Sequence, residues 1–296
     1  MRTKQLWCFL TAALVLLLFS FASYGEGRPF ITRWKGEAGK ELRIPIDGDG
    51  YKLIIKKASD GSVLVTENDC IGTYRYTPTE DGELLVEAGP EGVRFIRMQE
   101  YGQELGSCEA LLRVEQFGTV KWESMRYAFQ GCTNLQFAAG IDAPDLSQVT
   151  DMEDMFSGCI SFNQELGMWK LEKCEKLGLD NCGMSVENYS KSLVGWAAQA
   201  NIKQGLNLYA RRLKYNASSK AARAKLISEK GWRIYRDMYE DAKPFITRWK
   251  GEAGKRLEIP INGHGYRLII KRASDGSVLK TDYSNYSYSY TPTDDG

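Results

Sequence analysis

A long internal duplication constrains the fold of this chain more than any other feature. Residues 29–64 recur as residues 244–279 with six differences in 36 aligned positions, and both copies begin Pro-Phe-Ile-Thr-Arg-Trp. Such identity implies that a whole structural unit was duplicated. The second copy stops at Asp294-Asp295-Gly296, whereas the first continues with apolar segments in residues 83–96. We therefore expect residues 244–296 to be an incomplete domain, and the natural protein either to continue past Gly296 or to be a truncated reading frame.

The duplicated unit has the pattern of β-strands. Leu42, Ile44 and Ile46 alternate with more polar positions, which is the period of a strand with one buried face. Further short apolar segments follow at a spacing of roughly ten residues, and turn residues such as Asp-Gly separate them. This arrangement predicts a β-sandwich over residues 26–107 and a partial second β-sandwich over residues 241–296.

The first 25 residues read as a secretory signal peptide. Two basic residues precede an uncharged apolar run from Leu6 to Phe21, and Ser23 and Gly25 supply small residues for cleavage. The run is shorter than the roughly 20 residues that a membrane span needs. We predict that residues 1–25 are removed, although an uncleaved anchor is the alternative. The mature protein is then exported, to the cell surface or the medium, with no transmembrane span.

A second, shorter repeat follows the first unit. Met125-x-x-Ala-Phe-x-Gly-Cys132 recurs as Met152-x-x-Met-Phe-x-Gly-Cys159, at a spacing of 27. Periods of 20–29 residues with apolar side chains at fixed offsets are typical of leucine-rich-repeat solenoids, whose interior such side chains fill. We therefore predict that Met152, Phe156 and Phe162 are buried. Ser185 and Ser219 then predict the starts of two helices. The chain is therefore expected to be mainly β with some α, with a short solenoid and a helical C-terminal cap over residues 108–240.

These motifs resemble a known family. Val149-Thr-Asp-Met-Glu-Asp-Met-Phe-Ser-Gly-Cys159 closely resembles the repeat of the BspA-like leucine-rich-repeat surface proteins, and the duplicated unit resembles the PKD-like (Ig-like) β-sandwich that often precedes it. Ala128 departs from the repeat, and so does the lysine-rich segment 169–176. Whether a third coil of the repeat exists is therefore left open. The resemblance implies a bacterial surface protein that adheres to host proteins or to other cells.

The residue types argue against catalysis. His264 is the only histidine, and Asp49 stands at its position in the first copy, so no Ser-His-Asp or Cys-His site is available. Nothing distinguishes carboxylates such as Asp151, Glu153 and Asp154 from solvated surface. We predict a protein that is not an enzyme and has no cofactor.

A metal site is also not favoured. Asp47-Gly-Asp49 resembles the start of a calcium loop, but the second copy has Asn262 and His264 there. A tight turn is therefore the preferred interpretation, with calcium as the alternative.

Six cysteines lie outside the signal segment, and none forms a Cys-x-x-Cys zinc motif. Cys132 and Cys159 occupy equivalent coil positions, which stack about 4.8 Å apart with parallel side chains. A disulfide needs Cβ atoms about 3.8 Å apart that point at each other. We interpret these thiols as buried apolar groups, with disulfides in an exported protein as the alternative. The six are Cys70, Cys108, Cys132, Cys159, Cys174 and Cys182.

Local charge and aromatic residues suggest possible binding sites. Residues 142–187 hold ten acids and three bases, whereas residues 203–236 hold ten bases and one acid. Such asymmetry either marks a polyanion site or is solvated surface. Tyrosines 283, 286, 288 and 290 could form a sugar platform, although sheet packing is the usual role of such a run. The basic candidates for ligand binding are Arg211, Arg212, Lys214 and Lys220.

We predict a non-catalytic surface adhesion protein whose repeat solenoid recognises a protein on a host or neighbouring cell. A carbohydrate-binding accessory module and a structural spacer of a surface array are the alternatives. We expect no specific nucleic-acid binding.

Overall fold

The structure, a computed structural model, describes residues 27–100, 102–240, 247–259, 266–284 and 288–294. These residues form a mainly β structure with two α-helices, as expected from the sequence. The predicted signal peptide and His264 lie outside the described residues. Within the described ranges, neither helix is long and apolar enough to cross a membrane.

The first unit is built around a six-stranded sheet. In chain order the strands are β1 (Phe30–Gly36), β2 (Leu42–Ile44), β3 (Ile46–Gly48), β4 (Tyr51–Lys57), β5 (Val63–Cys70), β6 (Tyr74–Tyr76), β7 (Gly82–Ala88), β8 (Val93–Ile96), β9 (Gln99–Glu100), β10 (Gln103–Glu104), β11 (Leu111–Gln116) and β12 (Gln136–Phe137). The order in the sheet is β12-β11-β1-β7-β4-β5, and three two-stranded ladders, β2–β6, β3–β8 and β9–β10, accompany it.

The alternation that predicted strands in this unit is present. Leu42, Ile44 and Ile46 are all buried. The strand is interrupted at Pro45, because proline has no N–H to donate to a ladder, and it therefore appears as β2 and β3. At the centre of the sheet, β7 pairs antiparallel with β1 on one side and with β4 on the other.

The first sheet extends beyond the predicted boundary at residue 107. Strand β11 pairs antiparallel with β1 and parallel with β12. The sheet therefore continues to Gln116 and includes Gln136 and Phe137, which lie beyond residue 107. Phe30 of β1 packs edge-on against Trp122 with ring centroids 5.0 Å apart and also contacts Phe117. The first unit and the residues that follow it therefore share one apolar core.

Beyond β12, the chain makes successive turns whose short strands stack in parallel. The elements are β13 (Asp151–Met152), β14 (Lys176–Gly178), α1 (Val186–Ala198), β15 (Asn207–Tyr209), β16 (Lys214–Tyr215), α2 (Lys220–Ser228), β17 (Arg233–Tyr235) and β18 (Met238–Tyr239). The sheet order is β13-β14-β15-β17, and β16 pairs in parallel with β18. We call β13, β14, β15 and β17 the parallel ladder.

A strand begins at the end of the lysine-rich segment 169–176 and stacks on the previous turn. Lys176 pairs with Asp151 and the buried Leu177 pairs with Met152, so this strand is added to the ladder. The helices begin where predicted, and the Ser185 side chain accepts a hydrogen bond from the Asn188 N–H. However, α1 connects β14 to β15, and α2 lies between β16 and β17. The two helices are thus connections within the ladder, not a cap after it.

Aromatic rings fill the interior of the turns. Phe156 stacks on Phe162 with centroids 4.1 Å apart and on Phe129 at 5.6 Å, and it also contacts Phe137 and Trp169. Phe156 and Phe162 are fully buried, as predicted, and so is Met152.

The second unit repeats part of the first. Its strands are β19 (Leu257–Ile259), β20 (Tyr266–Lys271), β21 (Val278–Ser284) and β22 (Tyr288–Tyr290). Pairings β19–β22 and β20–β21 reproduce β2–β6 and β4–β5. In the described part of this unit, no strand stands beside β20 where β7 stands beside β4. Trp249 is accordingly 44% exposed, whereas its counterpart Trp34 is fully buried.

Candidate functional site

The exposed side of the parallel ladder is the candidate site, and we call it the ladder face. One row across it is formed by residues in direct register, Asp151, Lys176, Asn207 and Arg233. The next row runs from Gly178 through Tyr209 to Tyr235. Side chains alternate across short strands, so these residues point away from the interior that holds Met152, Leu177 and Leu208.

Two tyrosines dominate the ladder face. The Tyr209 and Tyr235 rings stack with centroids 5.1 Å apart and planes 14° apart. The Tyr235 hydroxyl donates a hydrogen bond to Asn207 Oδ1 at 3.2 Å, which fixes the outer ring. Next to them in the row, a Cβ on Gly178 would lie 2.1 Å from the Asp154 backbone nitrogen, so this position requires glycine. The row therefore presents stacked rings beside a place without a side chain.

A charged cluster borders the tyrosines. Glu153 forms ion pairs with Lys176 at 3.2 Å and with Arg126 at 3.1 Å. Arg126 also lies over the Tyr127 ring, 4.7 Å from its centroid. The hydrogen bond from Lys176 to Glu153 raises the pKa of the lysine. The cluster thus holds charges of both signs beside the rings.

Two acidic residues differ from the expectation that they are exposed. Asp151 and Glu153 are half-buried, with side-chain exposures of 30% and 24%. The reason is that Arg126, one turn earlier, and Lys176, one turn later, cover Glu153, and Arg126 also reaches Asp151. Their carboxylates are engaged in ion pairs between turns.

Ion pairs between turns compensate part of the charge asymmetry of the sequence. Acids of one turn pair with bases of the next, as Glu175 pairs with Lys203 at 3.7 Å and Asp180 with Arg211 at 3.2 Å. In an earlier turn, the hydrogen bond from Lys121 holds the pKa of Asp145 at about 2. Part of the acidic and basic excess is therefore compensated within the ladder.

The four basic residues predicted to bind a ligand do not form one cluster. Arg211 faces Asp180, whose Oδ1 accepts a hydrogen bond from the Arg211 backbone N–H at 2.7 Å. Lys214 lies in β16 and pairs with Met238 of β18, and Lys220 Nζ lies 5.5 Å from the centroid of the Tyr239 ring in the same strand. Arg212 is exposed and has a positive φ of 73°. Of the four residues, Lys214 and Lys220 thus both lie next to β18. Polyanion binding by the four residues stays a prediction.

Carboxylates of the duplicated turn are also engaged. Asp47 Oδ1 accepts a hydrogen bond from the Gly48 N–H at 2.8 Å, and Asp49 pairs with Arg94 at 2.6 Å. In the parts of the chain that the structure describes, no group of three or more His, Cys, Asp or Glu residues could hold a metal ion.

The tyrosine run near residue 290 does not form one strand. Tyr283 belongs to β21, whereas Tyr288 and Tyr290 belong to β22 in a different two-stranded sheet. Tyr290 is half-buried and pairs with Leu257, which is the sheet-packing arrangement. Tyr286 lies outside the described residues.

All six described cysteines carry free thiols and are buried. In Cys159, for example, the Sγ donates to the Phe129 carbonyl oxygen at 2.9 Å, and burial raises the pKa of the thiol well above the usual range. The structure agrees with the interpretation of these cysteines as buried groups.

Tyr209 and Tyr235 were not identified from the sequence. The signal exists, since Asn-Leu-Tyr209 and Arg-Ile-Tyr235 are 26 residues apart with the same polar-apolar-aromatic order. It is recognisable only once the register of β15 and β17 is known, because long helical connections separate the strands.

Comparison with known proteins gives one likeness. Residues 98–219 match the family model described as "Mycoplasma protein of unknown function, DUF285". The match covers less than half of the chain and runs from the end of the first unit to the residue before α2. No curated protein and no solved structure matches the chain. The chain is thus similar to a family without an assigned activity. The matched residues include β13, β14 and β15 of the ladder face.

Proposed function

We propose that this protein is a non-catalytic, exported surface protein that binds a protein on a host or neighbouring cell through the ladder face. In this proposal the first unit is a PKD-like β-sandwich and the parallel ladder is a short leucine-rich-repeat solenoid of the BspA-like type. The stacked strands and the turn repeat at residues 125–132 and 152–159 support the solenoid assignment. The sequence pattern of residues 1–25 supports export.

The single observation that carries the proposal is the Tyr209–Tyr235 stack on an exposed sheet face. Tyrosine and arginine are enriched where proteins bind each other, because they offer large apolar area together with hydrogen bonds. Tyr235 is 37% exposed, and Arg233 of the same strand is exposed. Solenoids suit this role because their surface residues change without disturbing the interior.

Ring geometry favours a protein over a sugar as the ligand. A carbohydrate platform stacks the sugar on an open aromatic face, but Tyr209 and Tyr235 cover one face of each other at 5.1 Å. The stack therefore offers two ring faces fewer than two separate tyrosines would, and it also carries two hydroxyl groups. This arrangement fits a polar protein surface that offers hydrogen-bond partners.

The test is a binding assay with the full chain immobilised and extracellular-matrix proteins in solution. We expect the double variant Tyr209→Ala/Tyr235→Ala to lose binding about thirtyfold, which corresponds to the roughly 2 kcal/mol typical of a hot spot. The matched control is Tyr74→Ala, a half-buried tyrosine of the first unit, whose removal should leave binding unchanged.

Other outcomes support the alternatives. Binding on a glycan array that the double variant abolishes would favour a carbohydrate-binding module. Failure to bind matrix proteins, cell surfaces and glycans alike would leave a structural spacer. Equal losses in Tyr74→Ala and the double variant would exclude the ladder face as the binding site.

A further inference from the structure

Within the described residues, strand β20 of the second unit has a partner on one side only. In the first unit, β7 lies between β1 and β4 and pairs antiparallel with both. In the second unit, β20 is the counterpart of β4 and pairs with β21, and no described strand occupies the place of β7. Residues 247–251, the counterpart of the second part of β1, form no strand. Two neighbouring segments thus lack the same partner.

Identical side chains are more exposed in the second unit than in the first. Ile269 is 39% exposed, whereas its counterpart Ile54 is 6% exposed. Ile270 is half-buried, whereas Ile55 is fully buried. Trp249, in the segment that corresponds to β1, is also exposed. Because the residue types are the same, the difference is in what covers them, and in the first unit the covering strand is β7.

Charge further defines the strand that fits this place. In the first unit, Lys56 of β4 forms an ion pair at 2.5 Å with Glu87 of β7, whose side chain is buried. The counterpart of Lys56 is Lys271, which is exposed. In the described part of the second unit, no strand brings an acidic residue to this side of β20. The open side of β20 is therefore both apolar and basic.

The other end of β7 carries a second acidic residue. Glu83 forms an ion pair with Arg33 of β1 at 2.7 Å. The counterpart of Arg33 is Arg248, which is exposed. Between its two acids, β7 has the apolar sequence Leu-Leu-Val. The complementary strand thus has an acidic residue near each end and apolar residues between them.

We propose that the open side of β20 is a docking site for one added β-strand, supplied by another polypeptide with this acid-flanked apolar pattern. The strand lies antiparallel to β20 and to residues 247–251, forms backbone hydrogen bonds with both, and covers Ile269 and Trp249. The site consists of residues other than those of the ladder face, so it does not depend on the function proposed above.

Two occupants from this chain itself are disfavoured. Strand β7 is already at the centre of the first sheet, where β1 and β4 hold it. The β20 strand of a second copy has two basic residues and no acidic one, so two copies of β20 would bring like charges together. A strand with acids at both ends instead neutralises Lys271 and Arg248.

The test uses the full chain and a fluorescently labelled synthetic peptide with the sequence of residues 81–89. We expect one peptide to bind per chain, as measured by fluorescence anisotropy. In the complex, hydrogen exchange measured by mass spectrometry should slow in β20 and in residues 247–251 but not in β4, which already has β7 beside it. The peptide variant Val86→Pro is the matched control and should not bind, because proline cannot complete a ladder inside a sheet.

Exchange of the ion-pair partners tests the charge requirement. Lys271→Glu should weaken binding of the peptide about tenfold, because the acid of the peptide then meets a like charge. The peptide variant Glu87→Lys should restore binding to that chain. Lys280→Glu changes an exposed lysine of β21, on the other side of β20, and should leave binding unchanged.

Three results would overturn the proposal. One is a lack of peptide binding to the wild-type chain, which does not depend on any variant folding. Another is equal binding of the peptide and its proline variant. The third is protection of β20 that rises with chain concentration in the absence of peptide, because a second copy would then be the occupant.

Discussion

Replacement of Phe156 by alanine tests the arrangement of the repeat interior. Phe156 is fully buried and contacts four other rings, those of Phe129, Phe137, Phe162 and Trp169. Emptying a buried phenylalanine site costs about 3–5 kcal/mol. Each aromatic pair adds about 0.5–1.5 kcal/mol beyond the area buried. The measured cost of emptying such a site already includes the lost ring contacts, so with four pairs lost together we expect the upper part of that range, about 4–5 kcal/mol.

The assay is urea unfolding followed by circular dichroism. With a slope of about 2–3 kcal/mol per molar urea, the expected loss moves the midpoint by about 2 M. Phe156→Leu keeps most of the volume and should cost only about 1.5 kcal/mol. Ile160→Ala, four residues further along the same turn at a side chain that is 64% exposed, should change stability by less than about 0.5 kcal/mol.

The reasoning fails if Phe156→Ala costs less than about 1 kcal/mol, since a site that collapses so cheaply is not part of a packed ring cluster. Equal losses in Phe156→Ala and Ile160→Ala would also refute it, because burial would then not distinguish the two positions.

Two further predictions use pairs within the same chain. In urea unfolding, Asp237→Asn should cost about 3 kcal/mol, because the Asp237 side chain is buried and the half-buried Arg223, whose guanidinium nitrogens lie 2.6 and 2.7 Å from the carboxylate oxygens, then lacks a counter-charge. Glu187→Gln in an exposed pair should leave the urea midpoint unchanged, and similar losses in the two variants would contradict this. Amide hydrogens of β20 should exchange at least tenfold faster than those of its near-identical counterpart β4 by mass spectrometry, because β4 lies between two strands; equal protection would disprove it.

Local signals were sufficient for many elements. The alternation around Leu42 predicted a strand, and the serine at position 185 predicted the start of α1, because each depends on a few neighbouring residues. The burial of Phe156 and Phe162 followed from their repeated positions in the turn. These features concern residues whose environment is set by their own segment.

Features that depend on distant pairing were missed. Strand β11 belongs to the first sheet because it pairs with β1, which lies far away in sequence. The Tyr209–Tyr235 stack likewise requires the register between β15 and β17. Nothing in a local window indicates such partners, since the backbone hydrogen bonds that select them form only when the ladder is assembled.

Buried polar contacts between turns were also beyond the sequence pattern. Asp237 follows β17, yet its carboxylate accepts hydrogen bonds from Arg223 of α2 and from the Tyr189 hydroxyl of α1. The basic segment therefore contains at least one arginine that is structural and is not available to a ligand. Composition counts such a residue with exposed cations, because it does not show which charges are paired.

The duplication separates the effect of sequence from the effect of tertiary context. Trp34 and Trp249 occupy the same position in identical segments, and both indole N–H groups donate to a threonine hydroxyl two residues earlier at 2.8 Å. Local geometry is thus the same in both copies. Only Trp34 is fully buried, because β1 lies between β7 and β11, whereas residues 247–251 form no strand. The duplicated segment therefore specifies its turns and hairpins, and strands from outside it are what convert its apolar face into a core.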